Sequence, residues 1–277
     1  MTDSSTATDF PYIHGFSPTE QARLVKQARI AEQTIYRHID FDGVRRLLEV
    51  GCGVGAQTEI LLRRFPDLHV TGVDLSDAQL EAAAHNLARH PWCAERYTLT
   101  KADATDLPFE PRSFDGAFLC WVLEHVPQPA RVLNEVRRVL MPGAPVYVTE
   151  VMNSSFFLDP YSPNLLRYWM AFNDHQYDSG GDPFVGAKLG NLLLAGGFRD
   201  VATEIKTFHY DNRQPDRRKA MIAFWEELLL SGADQLIAAG KVDQATVEGM
   251  RAELHQVQND PDAVFFFAFV QARATVY

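Results

Sequence analysis

The sequence predicts an α/β fold built on a mostly parallel sheet, and three observations lead to that prediction. Short apolar stretches alternate with segments of helical spacing that are about ten residues long. An apolar run at 47–50 ends in a glycine-rich turn, and a helical pattern follows at once. The chain of 277 residues is 46% apolar and 22% charged, which suits a globular protein with a large core. Strands joined by helices need right-handed crossovers, so neighbouring strands should run parallel.

The expected elements follow in chain order. Residues 1–9 are polar and acidic, and we expect a disordered tail there. Ser17-Pro18 before Glu20 is typical of a helix start, and this helix should extend to about His38. Strands are expected at 47–51, 68–74, 97–102, 115–120, 146–151, 201–208 and 264–272. Further helices are expected at 57–64, 78–89, 129–140, 165–173, 185–195, 220–230 and 244–257. The alternation stops after Val151, and 152–183 is interpreted as an insertion rich in aromatic, Asn, Asp and Pro residues.

Charge and cysteine content exclude several classes of protein. The formal net charge is 26 − 36 = −10, so the chain should repel phosphate backbones, and nucleic acid is not an expected partner. Three cysteines without metal-type spacing predict no metal site and a reducing, cytoplasmic compartment. The first residues lack the pattern of a signal peptide, and no apolar run approaches 18 residues, so no membrane segment is expected.

The pattern Glu49-x-Gly51-x-Gly53-x-Gly55 is the strongest local signal. Glycines at a strand-to-helix turn allow backbone N–H groups to approach a ligand closely. The glycines also fit a dinucleotide pattern ending at Ala56, and a turn that binds nothing stays an alternative. The carboxylate of Glu49 before the first glycine suits a ligand with a cationic group.

Polar residues follow the next strands at the points where each should end. Asp74 comes 23 residues after Gly51, where an acid accepts hydrogen bonds from both hydroxyls of a ribose. Asp103 could accept from an exocyclic amine such as that of adenine, or could serve as a turn aspartate. The stretch from Cys120 to His125 should face the ligand, and His125 is either a base or a packed residue that fixes the turn.

These motifs, in this order, resemble the class I S-adenosylmethionine-dependent methyltransferases over about residues 45–150. The motifs are Leu48–Gly55, Val73–Ser76, Ala102–Ala104, Leu107–Phe109, Ser113–Asp115, Val122–His125 and Val139–Gly143. The segment from Tyr12 to Gln27 resembles a small-molecule branch of that family, in which the front helix closes over the cofactor. The resemblance implies a Rossmann-like three-layer sandwich, with a seven-stranded, mostly parallel sheet and an antiparallel last strand.

The resemblance also implies a division of the chain. Residues 1–40 would form the tail and cap helix, and 41–277 the methyltransferase domain. Within that domain, 41–150 would be the cofactor-binding core, and 152–183 and 211–258 the substrate-side insertions. The implied contacts to S-adenosyl-L-methionine are Tyr12, Arg23, Gln27, Glu49, Gly51, Cys52, Gly53, Asp74, Leu75, Gln79, Asp103, Ala104, Cys120, Trp121 and His125.

The acceptor of the methyl group is less defined. Cys120-Trp121-Val122-Leu123 stands where many nucleic-acid base methylases carry an Asn/Asp-Pro-Pro-Tyr motif, so a small-molecule acceptor, such as a secondary metabolite, is favoured. The catalytic candidates are His175, His125 and Tyr177, and the expected acceptor contacts are His14, Glu150, Tyr161, Trp169, His175 and Tyr177. An NAD-dependent oxidoreductase and a non-catalytic cofactor-binding protein stay as alternatives, and the sequence leaves a homo-oligomer open.

Overall fold

Residues 12–277 are described by a computed structural model, and one eight-stranded sheet organises them. The tail expected at residues 1–9 lies outside this range. The strands are β1 Arg46–Val50, β2 His69–Asp74, β3 Tyr97–Lys101, β4 Gly116–Cys120, β5 Pro145–Val151, β6 Phe157–Asp159, β7 Arg199–Tyr210 and β8 Val264–Thr275. Their order is β3-β2-β1-β4-β5-β8, with β7 on the other edge of β8. Strands β1 to β5 pair in parallel, whereas β8 runs antiparallel to both β5 and β7.

The predicted α/β fold with a mostly parallel sheet and an antiparallel last strand is therefore confirmed. The short strand β6 was not expected. It pairs with 264–266 of β8, next to the stretch 269–275 that pairs with β5, so β6 extends the edge that β5 occupies. Three residues are too few to give a readable alternation in the sequence.

Nine helices are present among the described residues. They are α1 Pro18–Ile35, α2 Ala56–Arg64, α3 Asp77–Ala88, α4 Pro129–Val139, α5 Pro163–Asp178, α6 Leu189–Ala195, α7 Pro215–Ser231, α8 Ala233–Ala238 and α9 Gln244–Asn259. Helix α1 starts as predicted, because the Ser17 side chain accepts from the N–H of Glu20 and Pro18 stands in the first turn. Helix α5 is longer than expected at both ends. Helix α8 lies within 216–258, a range that the sequence predicts to be helical.

The sheet separates two buried clusters of apolar side chains. In β1, Leu47 belongs to one cluster, and its neighbour Leu48 belongs to the other, because successive strand residues point to opposite faces. Each fully buried leucine contributes about 1.5–3 kcal/mol relative to exposure. Helices α1, α2 and α7 contribute to the first cluster, and α4 and α6 to the second. Helix α1 also packs against α2 and α7, which places it over the sheet edge where the parallel strands end. Within 12–277, no helix is long and apolar enough to cross a membrane.

Candidate cofactor and acceptor site

A cavity of about 920 Å³ opens where the parallel strands end, beneath helix α1. The crevice beyond the carboxyl ends of the strands is the usual ligand site of such sheets. Its volume lies near the upper end of the range of about 300–1,000 Å³ for small-molecule sites. Residues that follow β1, β2, β3 and β4 line one half, and aromatic side chains from later elements line the other. The cavity is large enough for two small molecules to meet in it.

The glycine turn after β1 forms the floor of the first half. Gly51, Gly53 and Gly55 all have positive φ, at +67°, +50° and +73°. A Cβ on Gly51 would lie 2.5 Å from Val122 Cγ2, so close packing of the loop after β4 requires glycine there. A Cβ on Gly53 would meet no atom within 4 Å. Gly53 lines the cavity, and its missing side chain leaves room for a ligand against the backbone.

Asp74 ends β2 and is held in place by the backbone around it. Its Oδ2 accepts from the N–H of Gly53 and its Oδ1 from the N–H of Ser76, both at 2.9 Å. Burial raises the pKa of Asp74, and these hydrogen bonds oppose that rise. Each carboxylate oxygen keeps a further lone pair, so Asp74 can accept from two adjacent hydroxyls of a ligand.

Asp103 follows β3 and presents one free oxygen. Its Oδ1 accepts from both the N–H and the hydroxyl of Thr105, each at 2.8 Å. Among the described residues, no group donates to Oδ2, and Asp103 lines the cavity beside Ala104. A carboxylate turned this way can accept from an exocyclic amine.

Helix α1 brings a buried ion pair to the roof of the cavity. The Nε and Nη2 of Arg23 donate to the two carboxylate oxygens of Glu20, at 2.7 and 2.6 Å, and Nη1 donates to Gln27 Oε1 at 2.6 Å. Burial disfavours the charged guanidinium, but the hydrogen bond and charge of Glu20 outweigh it and raise the pKa of Arg23. The remaining N–H groups of Arg23 can bind one more anionic group.

The loop after β4 closes the centre of the cavity. Trp121 has a φ of +58°, a conformation that non-glycine residues seldom adopt and that is frequent at ligand sites. The ring of Tyr12 lies edge-on to that of His125, with centroids 5.0 Å apart, so the segment before α1 touches the loop after β4. Burial raises the pKa of Tyr12, and Glu20 adds to this effect. Tyr12 is therefore a neutral hydroxyl at physiological pH.

Aromatic side chains from distant parts of the chain line the second half of the cavity, which we call the aromatic chamber. Its walls are Trp169 and Phe172 of α5, Phe208 of β7, Phe224 and Trp225 of α7 and Phe267 of β8. Only Trp169 was expected from the sequence. The signal for Phe267 was the run Val264–Val270, in which 265, 267 and 269 are all phenylalanine. The signal for Phe224 and Trp225 was their position side by side in α7.

The expected cofactor contacts come together, with one exception. The cavity is lined by Tyr12, Arg23, Gln27, Gly51, Cys52, Gly53, Asp74, Leu75, Gln79, Asp103, Ala104, Cys120, Trp121 and His125, together with the expected acceptor contacts His14 and Trp169. Glu49 lies below the floor, where its Oε2 accepts from the Thr58 hydroxyl at 2.6 Å. Burial raises the pKa of Glu49 to about 8. A direct contact of Glu49 with a ligand therefore does not follow from the structure, and its position is that of a support for the turn.

Glu150 is not available to an acceptor either. It is fully buried at the end of β5, and its carboxylate accepts from the N–H groups of Val122 and Leu123 at 3.0 and 2.8 Å. Burial, together with the charge of Glu124, raises the pKa of Glu150 to about 8. Its position indicates that it holds the loop after β4 in shape.

Three further acceptor candidates lie away from the cavity. Tyr161 is 75% exposed and Tyr177 is 60% exposed, and neither they nor His175 line the cavity walls. The expected helix ended at 173, but α5 continues to Asp178 and so fixes the direction of His175 and Tyr177. The helix buries the face that carries Trp169 and Phe172 and turns Tyr177 to solvent. The expectation that these three residues contact the acceptor is corrected accordingly.

Within 12–277, no group of three or more His, Cys, Asp and Glu side chains is placed to hold a metal ion. The site thus combines a glycine cradle, two strand-end acids and a cation at the helix roof, next to an aromatic chamber. This arrangement is typical of a domain that binds a nucleotide-containing cofactor beside a second small molecule.

Comparison with known proteins shows which kind of cofactor-binding domain this chain resembles. Residues 48–148 match a family described as a methyltransferase domain. An O-methyltransferase of Aspergillus nomiae is 33% identical over 160 residues, covering 57% of this chain and 65% of that protein. A demethylmenaquinone methyltransferase of Symbiobacterium thermophilum is 38% identical over 98 residues, covering 35% of this chain and 39% of that protein. The chain thus spans less than two thirds of the length of these relatives. Residues 48–148 thus match a methyltransferase domain, which agrees with the resemblance seen in the motifs.

Solved structures agree with the fold. A phosphoethanolamine N-methyltransferase of Haemonchus contortus, in complex with S-adenosylhomocysteine, matches 99% of this chain and 61% of its own. The TM-score is 0.60, and the identity of 18% makes this a likeness of fold alone. The cyclase SpnF matches 92% of this chain and 81% of its own, at 25% identity and a TM-score of 0.51. A protein with this fold can therefore be named for a reaction other than methyl transfer.

Proposed function

We propose that the protein transfers a methyl group from S-adenosylmethionine to a small-molecule acceptor, such as a secondary metabolite. The observation that carries this proposal is the single cavity, in which the glycine turn and strand-end acids open directly into the aromatic chamber. A cofactor on the turn would therefore present its reactive end to a molecule in the chamber. The relatives named as an O-methyltransferase and a demethylmenaquinone methyltransferase support a small-molecule acceptor.

The half of the cavity that the glycine turn and strand-end acids line is called the cofactor half, and its residues fit this cofactor. The open space beside Gly53 is a cradle that a Cβ would fill, as expected where a ligand lies against the backbone. Asp74 would hold the ribose hydroxyls, and Asp103 Oδ2 would accept from the adenine amine. Arg23 would bind the methionine carboxylate with the N–H groups that Glu20 and Gln27 leave free. The remaining proposed contacts are Tyr12, Gln27, Gly51, Cys52, Leu75, Gln79, Ala104, Cys120, Trp121 and His125.

S-adenosylmethionine carries an activated methyl group, so the protein mainly has to supply alignment and a dry environment. The aromatic chamber excludes water and offers ring faces that stabilise cationic charge. His125, beside Tyr12 and Glu124, would orient the acceptor at the boundary between the two halves. Helix α1 closes the cavity from above, which supports the proposal that 1–40 form a cap on a methyltransferase domain of residues 41–277. In that division, 41–150 bind the cofactor, and parts of 152–183 and 211–258 enclose the acceptor.

The alternatives differ in what they require. An NAD-dependent oxidoreductase would use the same glycine turn, but the polar contacts that follow β3 and β4 are those of the methyltransferase pattern. A non-catalytic protein would bind the cofactor without methyl transfer. We also propose a cytoplasmic location, since the three cysteines are free and form no disulfide framework. Small molecules rather than nucleic acid are the proposed partners, and a homo-oligomer stays open.

Methyl transfer from labelled cofactor tests the proposal. The full chain is incubated with methyl-labelled S-adenosylmethionine and a panel of hydroxylated aromatic, amine and isoprenoid compounds. The expected result is labelled product with at least one member, and less product with the Gly53→Ala variant when the cofactor is below saturation. Saturable binding of S-adenosylhomocysteine without any labelled product would instead favour the non-catalytic alternative.

A further inference from the structure

We infer that the acceptor carries a hydroxyl group that donates its hydrogen bond to Nε2 of His14, and that Ser231 is the positioning residue that keeps this nitrogen unprotonated. The inference rests on the proposed function, since it names the chemical group that the chamber presents to the cofactor. It is carried by two hydrogen bonds of Ser231 at the end of α7, one with His14 before α1 and one with the carbonyl of Leu228.

His14 lies between the two halves of the cavity. Its ring centroid is 5.3 Å from that of Tyr12 and 6.3 Å from that of His125, and both of these residues are proposed cofactor contacts. On the other side, it is 5.7 Å from Phe172, which is a wall of the aromatic chamber. His14 itself lines the cavity. A group that bonds to its ring would therefore lie at the entrance to the chamber, next to the cofactor half.

The hydrogen bonds of Ser231 fix the tautomer of His14. The Ser231 hydroxyl lies 2.7 Å from the carbonyl oxygen of Leu228 and 2.6 Å from His14 Nδ1. A carbonyl can only accept, so the single hydroxyl hydrogen points to Leu228. The proton in the contact with His14 must therefore come from Nδ1. In the neutral ring, Nε2 then carries a lone pair, and no group among residues 12–277 hydrogen-bonds to it.

The charge state of His14 agrees with this geometry. Burial lowers the pKa of His14 well below its usual value, and the positive charge of Arg23 and the neighbouring His125 add to the effect. The ring is therefore neutral at physiological pH. An ammonium group has no lone pair and must lose its proton before it can attack, and such a weak base does not remove that proton, since alkyl amines titrate near about 10. A neutral hydroxyl, which becomes acidic only as its oxygen is alkylated, matches a neutral imidazole.

His125 is less suited to this role because both of its ring nitrogens have neighbours. Its Nδ1 lies 3.5 Å from the side-chain nitrogen of Gln176, and its Nε2 lies 3.6 Å from Glu124 Oε1. The amide nitrogen of Gln176 is a donor and the carboxylate is an acceptor, so the two contacts favour a proton on Nε2. The Nε2 of His14 thus has a lone pair that can accept a hydrogen bond, whereas the Nε2 of His125 has a hydrogen that can only be donated.

The proposed step balances without another reactant. A lone pair of the acceptor oxygen forms the bond to the methyl carbon, while the electron pair of the breaking carbon–sulfur bond stays on sulfur. The hydroxyl hydrogen passes as a proton to Nε2 of His14. The resulting imidazolium keeps its Nδ1–H bond to Ser231 and later releases the Nε2 proton to water. The products are a methyl ether, a thioether and one proton.

Nitrogen-15 NMR of the histidine-labelled full chain tests the inference without a known substrate. The measurement is made at neutral pH, with and without saturating S-adenosylhomocysteine. We expect the signals of a histidine with a protonated Nδ1 and a bare Nε2 that are present in the native chain and absent from the His14→Asn variant. Asparagine is the matched control because its amide N–H can replace Nδ1–H toward Ser231 but offers nothing at the position of Nε2. A protonated Nε2 on His14 in the native chain would overturn the inference.

Phenol and anisole are the probes for the hydroxyl. They share the aromatic ring, but only phenol can donate a hydrogen bond. We expect phenol to move the Nε2 resonance of His14 upfield and anisole to leave it unchanged. Equal shifts with both probes, or no shift with phenol, would contradict the inference.

The Ser231→Ala variant tests the positioning role. Without the serine oxygen, Nδ1–H loses its acceptor, and we expect a mixture of tautomers and a smaller phenol shift. A variant that keeps the native tautomer would show that Ser231 does not set it. The samples with S-adenosylhomocysteine separate the two proposals. Absence of S-adenosylhomocysteine binding would contradict the proposed function, while the tautomer of His14 can still be measured in the protein alone.

Discussion

At the scale of single residues, Asp74 connects the glycine turn to the cofactor half of the cavity. Its two oxygens already accept from the N–H groups of Gly53 and Ser76, so the carboxylate cannot rotate freely. A fixed acceptor loses little conformational entropy when a ligand binds, which favours affinity. The free lone pairs point to a diol as the matching group.

Replacing Asp74 tests this role. We expect Asp74→Ala to weaken the binding of S-adenosylhomocysteine by about 1–3 kcal/mol, because hydrogen bonds to a charged acceptor are lost. Isothermal titration calorimetry measures the change. The control is Asp67→Ala, because Asp67 is an exposed acid that pairs with Arg45 at 3.4 Å. Equal affinities of the two variants would contradict the role given to Asp74.

Glu49 should make stability depend on pH. Burial raises its pKa from 4.5 to about 8 in the folded protein, so the folded state holds the proton more tightly than the unfolded state. Unfolding then releases a proton between these two values, and the free energy of unfolding falls as the pH rises through this window. Urea titrations across the window should show a smaller fall for Glu49→Gln, because the amide stands in for the protonated acid.

The matched control for Glu49 is Glu81→Gln, on the exposed face of α3. We expect it to keep the native slope of stability against pH. A Glu49→Gln variant with the full native slope would show that this buried carboxyl does not titrate in the window.

The sequence predicts that a residue lines the cavity when its position at the end of a parallel strand alone places it there. Asp74 and Asp103 follow strands of a parallel sheet, so both must lie at its carboxyl edge, and both line the cavity. Glu49 was expected to face the ligand, but β1 is a central strand buried on both faces. A charged residue in such a strand gives no sign of which face it occupies, and its partner Thr58 lies on the next helix.

At the scale of elements, two glycines allow the effect of backbone strain to be separated from the effect of ligand contact. Gly53 and Gly143 both have positive φ, at +50° and +84°, and a Cβ on either would meet no atom within 4 Å. Each alanine variant should therefore lose about 1–2 kcal/mol from the backbone alone. Only Gly53 lines the cavity.

We expect Gly53→Ala to reduce affinity for S-adenosylhomocysteine by about tenfold or more, or about 1.4 kcal/mol, because the new methyl group occupies the cradle. Gly143→Ala should bind as the native chain does. Calorimetry gives the affinities, and urea unfolding checks that the two variants are similarly stable. Equal affinity of the two variants would mean that the cofactor does not lie against Gly53.

Helix length decided which residues of the insertion were predicted correctly. Tyr161, Trp169 and Tyr177 were expected to contact the acceptor, and of these three Trp169 lines the cavity. The extension of α5 to Asp178 turns Tyr177 outward, since a helix that packs on one side exposes the other. Ends of helices are hard to place from one sequence, and residues beyond a predicted end have no helical face assigned to them.

At the scale of the whole molecule, the cavity is closed by parts of the chain that are far apart in sequence. His14 reaches Ser231 across 217 residues, and Gln235 donates to the carbonyl of Tyr12 across 223. The order of the sheet follows from the alternation of strands and helices. The aromatic chamber does not, because its walls come from α5, α7, β7 and β8, and no local pattern records which faces meet.

The central claim is that the cavity binds S-adenosylmethionine by its glycine turn and strand-end acids. Calorimetric titration of the native chain with S-adenosylhomocysteine and with NAD tests it most directly. The account predicts saturable heat with S-adenosylhomocysteine at one site per chain and no binding of NAD at the same concentrations. Binding of NAD without binding of S-adenosylhomocysteine would contradict it.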